Sequence, residues 1–390
     1  MGIISLACRY VLFHWGRSAL LVGCLTIIAY LPLAVSWLTE TFQAELSSRA
    51  SSTPLLVGKK GSRFDLTMNA LYFEGRSIEA VPYKEYERIA ETELARAVPL
   101  SIKHWARGAP IVGTTLDYFE FRDLKVAEGS LIGRLGDCVV GANVARRLEL
   151  KPGDGLLSDP DNVFDIASSY PLKMRVSGIL ARSFTADDDA IFVDVKTAWV
   201  IDGIGHGHDD VTKADPSLLL EKGEKKVVAS AAITSYTEIT DDNINTFHFH
   251  GDPAQFPLTA IIAIPNDEKS GTLLAGKYLA PGETMQILRP ISVVEELLGM
   301  IFRVKRFFDL QSGFLAIATV LLLGLVMTLS ARLRTREMET LFKIGCARGT
   351  MGLLFAVEWI LIALASAALV GVLLLLTLAY APELMRVLLF

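Results

Sequence analysis

Long apolar runs occupy both ends of this chain, and shorter alternating segments fill the middle. The first run spans Ser18 to Leu38, and two more follow late, Phe314 to Leu329 and Met351 to Tyr380. A helix needs ~20 apolar residues to cross a bilayer, so the pattern predicts about three membrane-spanning helices. The first run exceeds the ~7 to 15 residues of a cleaved signal-peptide core and is read as an anchor. Arg9 and Arg17 precede it with no acidic residue between positions 1 and 17, which keeps the N-terminus inside.

Between the ends, the period shortens from that of a long helix to that of a folded domain. Strands are predicted at Pro54 to Lys59, Ala97 to Ala106, Met174 to Ala181, Ala190 to Asp194, Val227 to Thr234, Leu258 to Pro265 and Thr284 to Arg289. Helices are predicted at Lys84 to Ala95, Ala142 to Leu148 and Asp267 to Leu279. Each end of this region reads strand, helix, strand around a β-rich middle, which predicts two lobes and an α+β assembly rather than one sheet. The fold class is therefore membrane α-helical, with a large extracytoplasmic α+β two-lobed domain.

After Pro290 the pattern turns helical again. Val294, Leu297, Ile301, Val304 and Phe308 alternate spacings of three and four, a heptad seam that leads into the next apolar run without a break signal. This predicts a helical stalk. The resulting division is an N-terminal segment and first span over 1–39, an outer domain over 40–290, stalk and second span over 291–331, and a loop over 332–349. A third span covers 350–380, and a C-terminal tail follows over 381–390, with Ala381-Pro382-Glu383 as the stop. A tight hairpin near Gly371 would make a fourth span, but Gly371 lacks the polar turn such a hairpin requires.

Composition agrees with segregation. The chain is 51% hydrophobic yet 21% charged, too apolar for an ordinary soluble protein and too charged for a pure membrane bundle. The net charge of -5, with no basic stripe carrying interleaved aromatics, gives no nucleic-acid signal. Of four cysteines only Cys138 falls in the exported region, so no intramolecular disulfide is expected.

The loop carries the most specific chemistry. Met338, Leu341 and Phe342 fall at i, i+3 and i+4 among charged neighbours, the pattern of one amphipathic helix, with Gly345 as its stop and Thr350 as the start of the next helix. Arg332, Arg334, Arg336, Lys343 and Arg348 against Glu337 and Glu339 leave +3, which places the loop in the cytoplasm. Arg334-Thr335-Arg336-Glu337-Met338, then Leu341 and Ile344-Gly345-Cys346-Ala347-Arg348, resemble the cytoplasmic loop of MacB/FtsX-type ABC transporter permeases, a group that includes LolC and LolE. The resemblance continues outside the loop, in Ile111-Val112-Gly113-Thr114-Thr115 and Tyr118-Phe119. It continues through Val139-Val140-Gly141 and Leu148-Glu149-Leu150-Lys151-Pro152-Gly153-Asp154, then Val176-Ser177-Gly178-Ile179-Leu180 and Asp189-Ala190-Ile191-Phe192-Val193, which are similar to the periplasmic core of MacB-type permeases.

The resemblance implies a permease subunit in a bacterial inner membrane, with Arg334, Arg336, Glu337, Met338, Leu341, Phe342 and Gly345 coupling it to a separate ATPase that holds ATP and Mg²⁺. It implies a homodimer, or a pair with a second similar permease, in contact with membrane lipid. A periplasmic adaptor or substrate-binding protein is a further candidate partner. The function implied is mechanotransmission, in which ATP hydrolysis moves the outer domain to export or extract a substrate. The chain departs from the family in having three spans where the family has four. An FtsX-like regulator of a periplasmic hydrolase and a zinc-linked transport component are the alternatives. The chain's nearest phosphate-loop match, Gly271 to Lys277, is followed by Tyr278 instead of a hydroxyl for Mg²⁺, so no ATPase, and no enzyme activity, is expected here.

Two further features remain. His206-Gly207-His208 and His248-Phe249-His250 offer four imidazoles, and an extended 246–250 would point His248 and His250 to one face, as two ligands of Zn²⁺ or Cu²⁺. Glu358 is an ionisable residue about seven positions into the third span, where a costly intramembrane charge points to a functional role, the alternatives being a carboxylate that snorkels or one paired with a basic residue of the loop.

Overall fold

The computed structural model describes residues 2–74, 78–160, 171–208, 219–222, 227–229, 236–333, 335–343 and 345–389. The chain divides into two compact units, one of Met1–Glu45 with Glu296–Phe390, the other of Leu46–Glu295.

The first unit is helical. It contains α1 (Ile3–Phe13), most of α2 (Trp15–Ser51), the greater part of α9 (Pro290–Leu333), α10 (Thr335–Lys343) and α11 (Arg348–Leu389). Among the described residues, three stretches are long and apolar enough to cross a membrane: Trp15–Ser51, Pro290–Val326 and Gly352–Tyr380. α11 passes through Gly371 unbroken, so the region folds as one span and not as a hairpin. It also passes through Ala381-Pro382-Glu383, where the sequence predicted a stop. A proline has no N–H to give to the helix ladder, and α11 continues past Pro382 without that donor. α2 shows the same tolerance at Pro32. Arg348 rather than Thr350 begins α11.

Polar contacts join α2 to α11. Arg17 donates from Nη2 to Glu358 Oε1, Thr26 Oγ1 and Ser366 Oγ lie 3.1 Å apart, and Tyr30 OH lies 2.7 Å from Thr377 Oγ1. The partners rise together along both helices, so α2 and α11 run in the same direction and begin on the same side.

The second unit is a mixed domain. In chain order it holds β1 (Leu55–Lys59), α3 (Arg63–Tyr72), β2 (Val81–Pro82), α4 (Lys84–Glu91), β3 (Ala95–Ala106), β4 (Ala109–Thr114), α5 (Leu116–Phe121), β5 (Val126–Gly129), β6 (Asp137–Val140) and α6 (Ala142–Leu148). There follow β7 (Gly155–Leu157), β8 (Lys173–Leu180), β9 (Ile191–Asp194), α7 (Val195–Ile201), β10 (Gly205–His206), β11 (Leu219–Lys222), β12 (Val227–Ala229), β13 (His248–Phe249), β14 (Pro257–Leu258), β15 (Ala260–Pro265), α8 (Glu268–Lys277) and β16 (Met285–Leu288).

The two expected lobes are present as two cores. One gathers Ile111, Cys138, Val144, Met174, Val176 and Ile191. The other gathers Val57, Ile89, Trp199, Ile261, Leu274 and Tyr278. They do not have separate sheets, however, and here the expectation is corrected. One ten-stranded sheet runs β16-β1-β15-β3-β4-β9-β6-β8-β5, with β7 on β8. The cause is β3, whose twelve residues are about twice the usual strand length. Its first half pairs with β15, from Ala95 opposite Pro265 to Leu100 opposite Ala260. Its second half pairs with β4, from Ser101 opposite Gly113 to Ala106 opposite Ala109, with an irregularity between Ile102 and His104. The pairs β4 with β9 and β6 with β8 are parallel, and the other neighbours in the sheet are antiparallel.

Local signals explain the helices. Asp267 caps α8 by accepting from Ser270 N at 2.6 Å, and Asp194 caps α7 by accepting from Lys196 N at 2.9 Å. The helix expected over Lys84 to Ala95 stops at Glu91, because Glu93 turns left-handed at φ 53° and Ala95 and Ala97 are taken into the sheet. The strand expected over Val227 to Thr234 is observed to Ala229, and the rest of it lies outside the described residues. The four cysteines are unpaired.

Candidate functional site

The histidine ribbon is the most developed site in the second unit. α7 ends at Ile201, and Gly203 reverses the chain at φ 78°. β10 then runs antiparallel to β13, with Gly205 opposite Phe249 and His206 opposite His248. The amide of His250 donates to Ile204 O at 3.0 Å and continues the pairing by one position.

Strand alternation sorts the side chains. Gly205, Gly207, Phe247 and Phe249 take one face, and Phe247 and Phe249 pack on the cores. Both glycines are needed for that face to close. A Cβ on Gly205 would lie 2.6 Å from the Phe249 ring, and one on Gly207 would lie 2.6 Å from the Phe247 ring. The opposite face receives the imidazoles. His206 lies 4.9 Å from His248 and 4.8 Å from His250 between ring centroids, and His248 lies 4.8 Å from His250. His208 stands at the edge, 5.6 Å from His206 and 5.1 Å from His248.

Three ring nitrogens, one each from His206, His248 and His250, lie within 4.8 Å of one another. His248 Nδ1 is 2.9 Å from Thr246 O. A carbonyl only accepts, so Nδ1 is the donor in this contact and Nε2 is the His248 nitrogen it leaves for another partner. Burial, and then the charges of His248, His250 and His208, lower the pKa of His206 below the usual imidazole range. His206 is therefore neutral at neutral pH and presents a lone pair. Among the acidic residues near these histidines in sequence, Asp209 and Asp210 lie outside the described residues. Asp252 is used as a turn cap, accepting from Ala254 N at 3.1 Å.

The sequence placed His248 and His250 on a common face, and the structure adds that both histidine segments form one ribbon. The signal missed in the sequence is the alternation itself, Gly-His-Gly-His against Phe-His-Phe-His, which fills one face with Gly and Phe and the other with imidazole.

The amphipathic segment between the second and third spans forms α10, nine residues long. Gly345 ends it in the left-handed conformation at φ 97°, with its amide donating to Phe342 O at 3.0 Å. Phe342 is 52% exposed, an aromatic face presented outward. Arg336, Glu337, Met338 and Leu341 lie on α10, and their side chains, like all of Arg334, lie outside the described residues.

Glu358 is 2% exposed and pairs with Arg17 on α2. The carboxylate is buried and does not snorkel, and among the described residues its ion-pair partner is Arg17 on α2, a cation the sequence reading did not name. A carboxylate removed from water requires a fixed cation, and the parallel packing of α2 against α11 supplies one from 341 residues away.

A sequence-family model described as the MacB-like periplasmic core domain matches residues 18–236. Among solved structures, the periplasmic region of MacB from Actinobacillus actinomycetemcomitans is similar at 12% identity, covering 63% of this chain and 92% of that one, with a TM-score of 0.35. The extracellular domain of the noncanonic ABC-type transporter YknZ from Gram-positive bacteria is similar at 9% identity, covering 60% of this chain and 98% of that one, with a TM-score of 0.34. No curated relative matches.

Proposed function

This chain belongs to the family of the MacB-like periplasmic core domain, and on that premise we propose that it is the permease subunit of an ATP-driven transporter of the MacB/FtsX/LolC type in a bacterial inner membrane. A separate ATPase subunit, holding ATP and Mg²⁺, drives it. The observation that carries the coupling is α10, a short amphipathic helix set between two long apolar helices, with Phe342 exposed. A helix that exposes an aromatic beside its charged face is suited to a partner groove.

The transmission element is α9, one unbroken helix over Pro290–Leu333. A displacement of α10 passes along it into a substrate-handling movement of the extracytoplasmic domain. Val304 and Phe308, on the heptad seam of α9, are both more than half exposed and offer an apolar surface to a second copy or a similar permease.

The test is docking. Leu341→Asp, and Arg334→Ala combined with Glu337→Ala, leave the permease inserted and expressed while the co-purified ATPase falls at least tenfold. ATPase retained at wild-type stoichiometry in both variants overturns the coupling assignment.

A further inference from the structure

We propose that His206, His248 and His250, with His208 at the rim, form an exchangeable binding site for a divalent transition metal ion of the Zn²⁺ or Cu²⁺ class on the extracytoplasmic domain. The inference goes beyond permease function and stands independently of the ATPase.

The donor set selects the ion. Imidazole nitrogen suits borderline metals, whereas Mg²⁺ and Ca²⁺ require oxygen ligands. In the cluster, among the described residues, no carboxylate or thiol joins the three nitrogens. The spacing is that of an open site. Tetrahedral Zn²⁺ with Zn–N of ~2.0–2.1 Å holds its nitrogens about 3.3 Å apart, so ligands now within 4.8 Å close by rotation of imidazoles on a fixed ribbon.

Three features preorganise the closure. The Gly205 and Gly207 backbone admits the Phe249 and Phe247 rings, which fixes the ribbon against the cores and keeps the imidazoles on the other face. The His206–His248 pairing places one ligand on each strand, so the ion would tie β10 to β13. Thr246 O holds His248 Nδ1 and leaves Nε2 for an ion, the carbonyl-to-histidine arrangement that orients metal ligands. His250 is exposed, which leaves solvent access for exchange. Two strands of two residues each are too short to be stable alone. An ion shared by His206 and His248 would therefore add a cross-strand link to a ribbon already anchored on the cores.

The experiment uses the full-length, tag-free chain in detergent, stripped with a chelator and dialysed against Zn²⁺ in a large excess of Mg²⁺ and Ca²⁺. Bound metal is read by elemental analysis and thermal unfolding is recorded with and without Zn²⁺. The wild type retains one Zn²⁺ per chain and unfolds at a higher temperature when loaded, since an ion bound only by the folded form stabilises it. His206→Gln loses the bound equivalent and the thermal shift, and so does His250→Gln, an exposed position at which folding is not in question. His14→Gln, outside the cluster, keeps both. No Zn²⁺ on the wild type, undiminished uptake by His250→Gln, or displacement of Zn²⁺ by Mg²⁺ or Ca²⁺ overturns the proposal.

Discussion

Arg49 places Nη1 2.6 Å and Nη2 2.9 Å from the two carboxylate oxygens of Asp187, across 138 residues of chain. Tyr118 OH closes the group, accepting from Arg49 Nη2 at 2.9 Å and donating to Asp187 Oδ1 at 2.7 Å. Arg49, Tyr118 and Asp187 are all buried, so this is a bidentate ion pair held away from water.

Removing one partner strands the other charge, which costs about 3–5 kcal/mol at a buried site. Asp187→Asn and Arg49→Met are each expected to lower the unfolding temperature sharply. Acid does the same through titration. Burial raises the Asp187 pKa, but the Arg49 charge and the hydrogen bonds from Arg49 and Tyr118 outweigh it, so the folded value lies below the ordinary one. The stabilisation is complete above the unfolded pKa of about 3.9 and is lost as pH falls through the depressed folded value. Unfolding followed from pH 7 down to about pH 1 should show this acid-sensitive component below the unfolded pKa in the wild type and not in Asp187→Asn.

The pair Arg17 and Glu358 should show coupling in a double-mutant cycle. Arg17→Leu removes a paired cation from the buried Glu358 carboxylate, and Glu358→Leu removes the carboxylate from Arg17, so each single variant is expected to lower stability in detergent. Arg17→Leu with Glu358→Leu should recover part of the loss, with a coupling of about 0.5–3 kcal/mol. Strict additivity would show that the two do not interact.

Membrane sidedness follows from the shared direction of α2 and α11. Both begin on the side that carries Arg17 and α10. On a cysteine-free background, an impermeant thiol reagent applied to intact cells should label a cysteine at exposed Glu128 and spare one at exposed Thr340. The reverse pattern would invert the topology.

The glycines of the ribbon make a steric prediction. Gly205→Ala puts a methyl group 2.6 Å from the Phe249 ring and should cost about 1–3 kcal/mol, read as a lower unfolding temperature. Phe249→Leu in the same chain should relieve part of that cost. Gly61→Ala, where a Cβ meets nothing within 4 Å, is the control and should leave the temperature nearly unchanged.

The sequence by itself determined the features that depend on neighbours along the chain. Three apolar runs of spanning length, the amphipathic α10 with its glycine stop, and the helices α6 and α8 follow from local period and capping, which need no partner to be read. His248 and His250 share a face for the same reason, since strand alternation is local. Only the tertiary structure decided which distant residues meet. That β3 is long enough to join two lobes into one sheet depends on strand pairing, and a strand's partners leave no mark in its own period. The meeting of His206 with His248, the Arg17–Glu358 pair and the Arg49–Asp187 pair each required a long-range contact. Burial selected each ion pair, because a charge taken out of water is tolerated only where the fold delivers its counter-ion.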